Sequence, residues 1–184
     1  METIAKKPFA KIVKNILDFR QNGTVLDVGT GDGQHALFLA SQGFEVTILD
    51  TSDEKFKKII ELATTQGIQI SSVVGDVLAL HTLGKSFDIV VCTSVLHFLT
   101  ADKIAMAIEQ LKAVTHQNGI NVVSAHTINN EGEVRPHFFA EGELKKYYED
   151  WNILYEWEGL GGPFETKTGE VIQRHRTELI AENK

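Results

Sequence analysis

The chain has one cysteine, Cys92, among 184 residues, so no disulfide can form within it. Cys92 follows the apolar run Ile89-Val90-Val91 and reads as a small buried hydrophobe, with nothing pointing to an oxidising compartment. Long apolar runs are missing too, since no stretch approaches the ~20 residues that a membrane-spanning helix needs. Met1-Glu2-Thr3-Ile4-Ala5-Lys6-Lys7 lacks the apolar core of a signal peptide. Positive charge is in deficit: the formal net charge is −7, and the clusters Lys55-Lys57-Lys58 and Lys145-Lys146 lie beside acids in helical patterns. A general attraction to phosphate backbones is therefore absent, and nucleic acid is not expected as a partner. The seven histidines and single cysteine show no ligand spacing, so no metal site is expected. The expectation is a cytoplasmic protein that acts on a small molecule, without membrane or nucleic acid.

What the chain does contain is the run Val25-Leu26-Asp27-Val28-Gly29-Thr30-Gly31-Asp32-Gly33, followed by a helical pattern. A mainly apolar strand leads into alternate glycines that let the chain turn tightly, so a ligand can approach bare backbone. Such loops expose N–H groups and a helix N-terminus to anions and nucleotides. A dinucleotide fingerprint needs glycine or alanine three residues after Gly31, and Gln34 stands there. Asp27 would also set a carboxylate near a pyrophosphate, where like charge is unfavourable; a cofactor carrying an amine suits it better. Asp50, after Phe44-Glu45-Val46-Thr47-Ile48-Leu49, can accept both hydroxyls of a ribose. Asp76 ends a third strand pattern, where it can accept from an adenine amino group; taken singly, Asp50 and Asp76 also suit simple caps of the following turns.

Apolar runs and helical patterns alternate along the chain. Ile12 to Phe19 reads as a helix, followed by strands to Asp27, Asp50 and Val74, with helices over 34–41 and 54–65 between them. The link from Val77 to Ser86 reads as a turn or loop. A strand over 87–93, a helix over 101–116 ending at Asn118-Gly119, and a strand over 120–125 follow. Beyond His126 come a polar turn at Asn129-Asn130-Glu131-Gly132-Glu133, a helix over 141–150, and strands over 151–157 and 171–180 joined by the loop 159–169. The pattern implies an α/β fold with a parallel sheet, in one domain over 1–184: an N-terminal helix (1–22), a cofactor core (23–126) and an acceptor-side segment (127–184).

The chain resembles the class I S-adenosylmethionine-dependent methyltransferases. The matching residues are Asp27 to Gly33, Asp50, Gly75-Asp76-Val77, and Phe87-Asp88-Ile89-Val90-Val91-Cys92-Thr93-Ser94-Val95-Leu96-His97-Phe98. Within that family it is most similar to the tellurite-resistance methyltransferase group. That likeness rests on Ser94-Val95-Leu96-His97-Phe98-Leu99 and on the block from Phe138-Phe139-Ala140-Glu141-Gly142-Glu143 to Trp151. The resemblance implies a doubly wound, Rossmann-like, seven-stranded sheet, mostly parallel with an antiparallel last strand, and S-adenosylmethionine as cofactor. It implies that Asp27, Gly29 and Gly31 hold the methionine part, Asp50 the ribose, and Asp76 and Val77 the adenine, with Thr30, Gly33, Thr51, Thr93 and Ser94 also binding the cofactor. In the group's N-terminal lid, only Lys7-Pro8-Phe9 stands in here for a tyrosine-containing segment.

Methyl acceptors gather at the carboxyl ends of the strands, where His97, His126, Arg135 and His137 are the candidate catalytic residues. Arg135-Pro136-His137-Phe138-Phe139 is a basic and aromatic cluster suited to a small anion, and each histidine also suits a plain structural role. The implied acceptor is a small molecule such as a chalcogen oxyanion or a small thiol. The glycine loop and Asp50 alone would also fit an NAD(P)-linked oxidoreductase or a non-catalytic cofactor-binding module.

Overall fold

A computed structural model describes residues 10–128, 134–165 and 169–184. The turn expected at Asn129 to Glu133 and the stand-in segment Lys7-Pro8-Phe9 lie outside the described residues. Successive apolar runs form strands β1 (Thr24–Val28), β2 (Glu45–Asp50), β3 (Ile70–Val74), β4 (Phe87–Thr93) and β5 (Thr115–His126). The middle strands β1 and β4 are buried on both faces, as strands of a covered parallel sheet are. Helices α1 (Lys11–Asn15), α2 (Gln34–Ser41), α3 (Phe56–Thr65) and α4 (Ala101–Ala113) provide that cover. In α3 the buried residues Phe56, Ile59 and Ala63 fall on one stripe; in α4 Ile104, Ala107, Ile108 and Leu111 do the same.

The C-terminal part adds α5 (Glu143–Lys146), β6 (Asn152–Leu160), β7 (Phe164–Glu165), β8 (Val171–Ile172) and β9 (His175–Glu182). The main sheet runs β3-β2-β1-β4-β5-β9-β6, and β9 is antiparallel to both of its neighbours. Seven strands with a reversed last one is the expected arrangement. One face packs Leu26, Val90, Val123 and Leu179 against α4, Tyr148 and Trp151. The other packs Val25, Ile48, Ile89 and Ile180 against α1, α2 and α3.

Several boundaries differ from the sequence reading. Helix α4 stops at Ala113, three residues early, because Thr115 already pairs with Phe87 and β5 continues through Asn118 at φ +61°. Asn118 and Gly119 exchange backbone hydrogen bonds with Asn183 beyond β9, so tertiary pairing converts a helix-stop signal into strand. The link 77–86, read as a turn or loop, forms 3₁₀ turns over Val77–Leu83. Helix α5 is four residues long and starts after Gly142 at φ +67°, while Tyr148 and Trp151 turn into the core. The last expected strand is two: β8 pairs with β7, inside the expected loop, and β9 alone enters the main sheet.

Gly33 ends the loop after β1 at φ +76°, and a Cβ there would lie 2.7 Å from Ile59 Cγ1. The absence of that carbon lets α2 start against α3. Gly33→Ala is expected to cost about 1–3 kcal/mol of stability, through backbone strain and overpacking. Urea denaturation measures it; a loss below about 0.5 kcal/mol, within the range of an ordinary surface change, would contradict the packing role.

Candidate functional site

Strand order reverses between β1 and β4: the chain leaves β1 for β2 on one side and β4 for β5 on the other. At such a switch point the loops diverge and leave a crevice at the strands' carboxyl ends. A cavity of about 930 Å³ lies there. Gly29 (φ +69°) and Gly31 (φ +56°) line it, and Val95 occupies the place that a Cβ on Gly29 would need. The amides of Gly29 and Thr30 both donate to the Leu49 carbonyl, at 2.7 and 3.2 Å, which ties the loop to the end of β2.

The next residue along, Asp50, is held by two backbone amides. Gly31 N–H donates to its Oδ2 (3.3 Å) and Thr51 N–H to its Oδ1 (2.8 Å), so its carboxylate is fixed at the cavity wall. Asp76, after β3, accepts the Leu78 amide at 2.9 Å on one oxygen and so caps the 3₁₀ turn, while it and Val77 line the cavity. On the β4 side the wall comes from Thr93 and Ser94. Ser94 holds φ +59°, an uncommon conformation for a residue with a side chain, with its amide bonded to Ser124 O at 2.9 Å. The structure thus brings together nine of the eleven expected cofactor residues.

The other two stand behind the wall. Gly33 serves the α2–α3 contact described above. Asp27 is 1% exposed and accepts the Thr30 hydroxyl at 2.8 Å. Burial pushes its carboxyl pKa up, against the opposing influence of His35 and Thr30. His35, in the first turn of α2, lines the cavity and was missed in the sequence, where its only signal was a position two residues after Gly33. Its Nε2 accepts the Ala10 amide at 3.2 Å, which leaves Nδ1–H to donate to the Thr93 hydroxyl at 3.1 Å. Burial lowers its pKa, with Asp27 opposing.

The acceptor-side candidates divide. His97, 1% exposed, stacks on His126 with ring centroids 4.0 Å apart and accepts the His126 amide on Nδ1 at 3.3 Å, so its proton resides on Nε2. Burial first, then His126 and Arg135, bring the His97 pKa down to about 3. The Arg135 guanidinium lies 4.6 Å from the ring centre of Phe98, which itself lines the cavity and contacts His97. These three candidates therefore form one group that adjoins the cavity through Phe98. His137 does not join it: its Nε2 meets Glu143 Oε1 at 2.9 Å and its ring stands edge-on to Phe139, which fastens the loop to α5. Among the described residues no group of histidine, cysteine or acids is arranged to hold a metal ion.

Residues 6–178 match the family described as "Tellurite resistance protein TehB". A curated relative, the "Probable S-adenosyl-L-methionine-dependent methyltransferase TehB" of Haemophilus influenzae, is 29% identical over 164 residues, 87% of this chain and 57% of its own length. The crystal structure of TehB from Haemophilus influenzae superposes with a TM-score of 0.85 at 27% identity, covering 96% of this chain and 63% of that one. Magnesium protoporphyrin IX methyltransferase from Synechocystis PCC 6803, solved with bound S-adenosylhomocysteine, shares the fold at a TM-score of 0.71 and 20% identity, covering 95% of this chain and 80% of that one. The chain spans less than two thirds of the length of these TehB proteins. With the glycine loop, the switch-point cavity and a family match across nearly the whole sequence, the chain belongs to the TehB family of tellurite resistance proteins.

Proposed function

We propose that the protein transfers the methyl group of S-adenosylmethionine to a small-molecule acceptor, a chalcogen oxyanion or small thiol, and releases S-adenosylhomocysteine. The observation that carries this reading is the charge of the cavity wall. Asp32, Asp50 and Asp76 line it, and among the described residues no lysine or arginine does. The pyrophosphate of a dinucleotide would face these acids, whereas an amine and a sulfonium are attracted by them. The volume falls within the roughly 300–1,000 Å³ usual for small-molecule sites. The wall also fits the cofactor: the bare glycine loop beside Thr30 for its amino-acid end, Asp50 with Thr51 for the ribose hydroxyls, Asp76 and Val77 for adenine. When bound, that cofactor supplies a methyl group already activated by positive sulfur.

The chain's own task is then alignment more than chemistry. Gly29 and Gly31 present backbone without side chains, and the fixed Asp50 carboxylate limits rotation about the ribose. On the acceptor side Arg135 offers a cation and Phe98 a flat apolar surface. The buried His97 ring is neutral and offers Nε2–H as a donor. Such a group suits an anionic acceptor, which needs no general base because it arrives without a proton to lose. A cytoplasmic setting, with neither membrane nor nucleic acid as partner, and one methyltransferase domain over 1–184 belong to the same proposal; no described helix is long and apolar enough to cross a membrane.

The first test is the thermal shift of the protein with S-adenosylmethionine, S-adenosylhomocysteine and NADH in parallel. Stabilisation by the adenosyl compounds alone is expected; a shift with NADH alone would sink the proposal, and no shift at all would favour a non-catalytic module. Asp50→Ala is expected to weaken S-adenosylhomocysteine binding by about 1.5–3 kcal/mol, the loss of a charge-assisted pair. Calorimetry that finds the affinity unchanged removes Asp50 from the site. His97 makes a separate pH prediction. The unfolded chain binds a proton at His97 near pH 6.5 and the native ring binds one only at about pH 3, so this contribution is whole above pH 6.5 and falls as pH drops. Stability should decline by roughly 1 kcal/mol per pH unit between pH 6 and 4 more steeply than in His97→Gln. Equal slopes in the two proteins would show that the native ring titrates normally.

A further inference from the structure

A second cavity, of about 550 Å³, shares no lining residue with the first and lies between α1, β6 and β9. Its wall includes Lys11, Tyr155, Trp157, Gly161, Arg176 and Glu178. Arg176 is the fixed point. Its Nε lies 2.6 Å from the Glu178 carboxylate, its guanidinium carbon 5.9 Å from the Trp157 ring centre, and a Cβ on Gly161 would approach that carbon to 3.1 Å. The guanidinium is therefore held by an acid, an indole and a bare stretch of backbone. Its Nε makes no well-formed hydrogen bond among the described residues, and its two terminal nitrogens carry four further N–H donors.

The charge is unbalanced as well. Lys11 and Arg176 bring two cations against the single acid Glu178, which is 2% exposed. The neighbouring acids of β6 are engaged elsewhere: Glu156 meets Lys145 Nζ at 2.6 Å, and Glu158 accepts the Gly142 amide at 3.4 Å. In a chain of net charge −7, a pocket with a surplus cation runs against the general trend. A preorganised guanidinium fork matches the two oxygens of a carboxylate, and the indole and phenol rings offer flat apolar surfaces beside it.

We infer that this cavity is a binding site for a small planar organic carboxylate, such as an aromatic acid, separate from the cofactor cavity. The carboxylate pairs with the terminal nitrogens of Arg176 and with Lys11, and the ring system rests against Trp157 and Tyr155. Inorganic anions gain the charge but not the stacking; neutral analogues gain the stacking alone. The site stands independently of the cofactor reading, since Arg176 is absent from the first cavity's wall.

Titration calorimetry of the full chain with indole-3-carboxylate, indole-3-carboxamide and inorganic phosphate tests it. Binding of the carboxylate, weaker by about tenfold or more for the amide and for phosphate, is expected. Arg176→Lys keeps a cation beside Glu178 but loses the fork, and should lower the affinity by about tenfold while S-adenosylhomocysteine binding stays the same. Trp157→Leu and Lys11→Gln supply the same comparison should Arg176→Lys fail to fold. No binding of indole-3-carboxylate, equal binding of the amide or phosphate, or unchanged affinity in the variants would each overturn the assignment.

Discussion

Val95 stands where a side chain on Gly29 would have to go, and much of the cavity follows from that steric exclusion. With no Cβ at Gly29 the chain can turn at φ +69° directly after β1, so the amides of Gly29 and Thr30 reach the Leu49 carbonyl. The ends of β1 and β2 are thereby joined, which brings the Gly31 amide within 3.3 Å of Asp50. Val95 comes from the opposite side of the switch point, delivered by Ser94 in its positive-φ conformation. One contact thus closes the base of the crevice from β1 and from β4, and the carboxylate that faces it is oriented as a consequence.

Local pattern revealed the first 100 residues of the fold because there the elements are decided locally. Short continuous apolar runs bounded by glycine and aspartate suit buried parallel strands, and the spacing of Phe56, Ile59 and Ala63 suits one face of a helix. The reading failed where partners distant in sequence decide. Asn118-Gly119 has the chemistry of a helix end, yet Asn183 bonds to both residues and draws them into the sheet. The break between β8 and β9 is equally invisible, because no glycine or proline interrupts Val171 to Ile180, and only pairing with β7 and β5 separates the two.

The cavity was more legible than its surroundings for the same reason. Loop residues that face a ligand are short-range neighbours of a strand end, so Gly29, Asp50 and Asp76 could be placed by spacing alone. Gly33 shares that spacing but answers to Ile59, on a helix 26 residues away in number and adjacent in space. His137 likewise shares a loop with Arg135, yet Glu143 holds it to α5 and away from the group that His97, His126 and Arg135 form. Position at the carboxyl ends of the strands grouped those four residues; side-chain partners divide them.

Behind the cavity wall, where buried Asp27 meets His35, the chain carries less charge than its residue types imply. Burial raises the pKa of Asp27 and lowers that of His35, so desolvation favours the neutral form of each, even as each would stabilise the charge of the other. The attraction for a cation therefore originates at the wall itself, from Asp32, Asp50 and Asp76. A neutral His35 is also required by its own geometry: Nε2 can accept the Ala10 amide only while it carries no proton. Ala10, Ile12 and Val13 are buried beside the sheet, and Lys11 between them reaches the second cavity. The start of α1 is thus fastened on one side to the wall of the acidic cavity and on the other to the cationic one. Burial that keeps His35 neutral preserves that fastening, and the fastening in turn contributes to the burial.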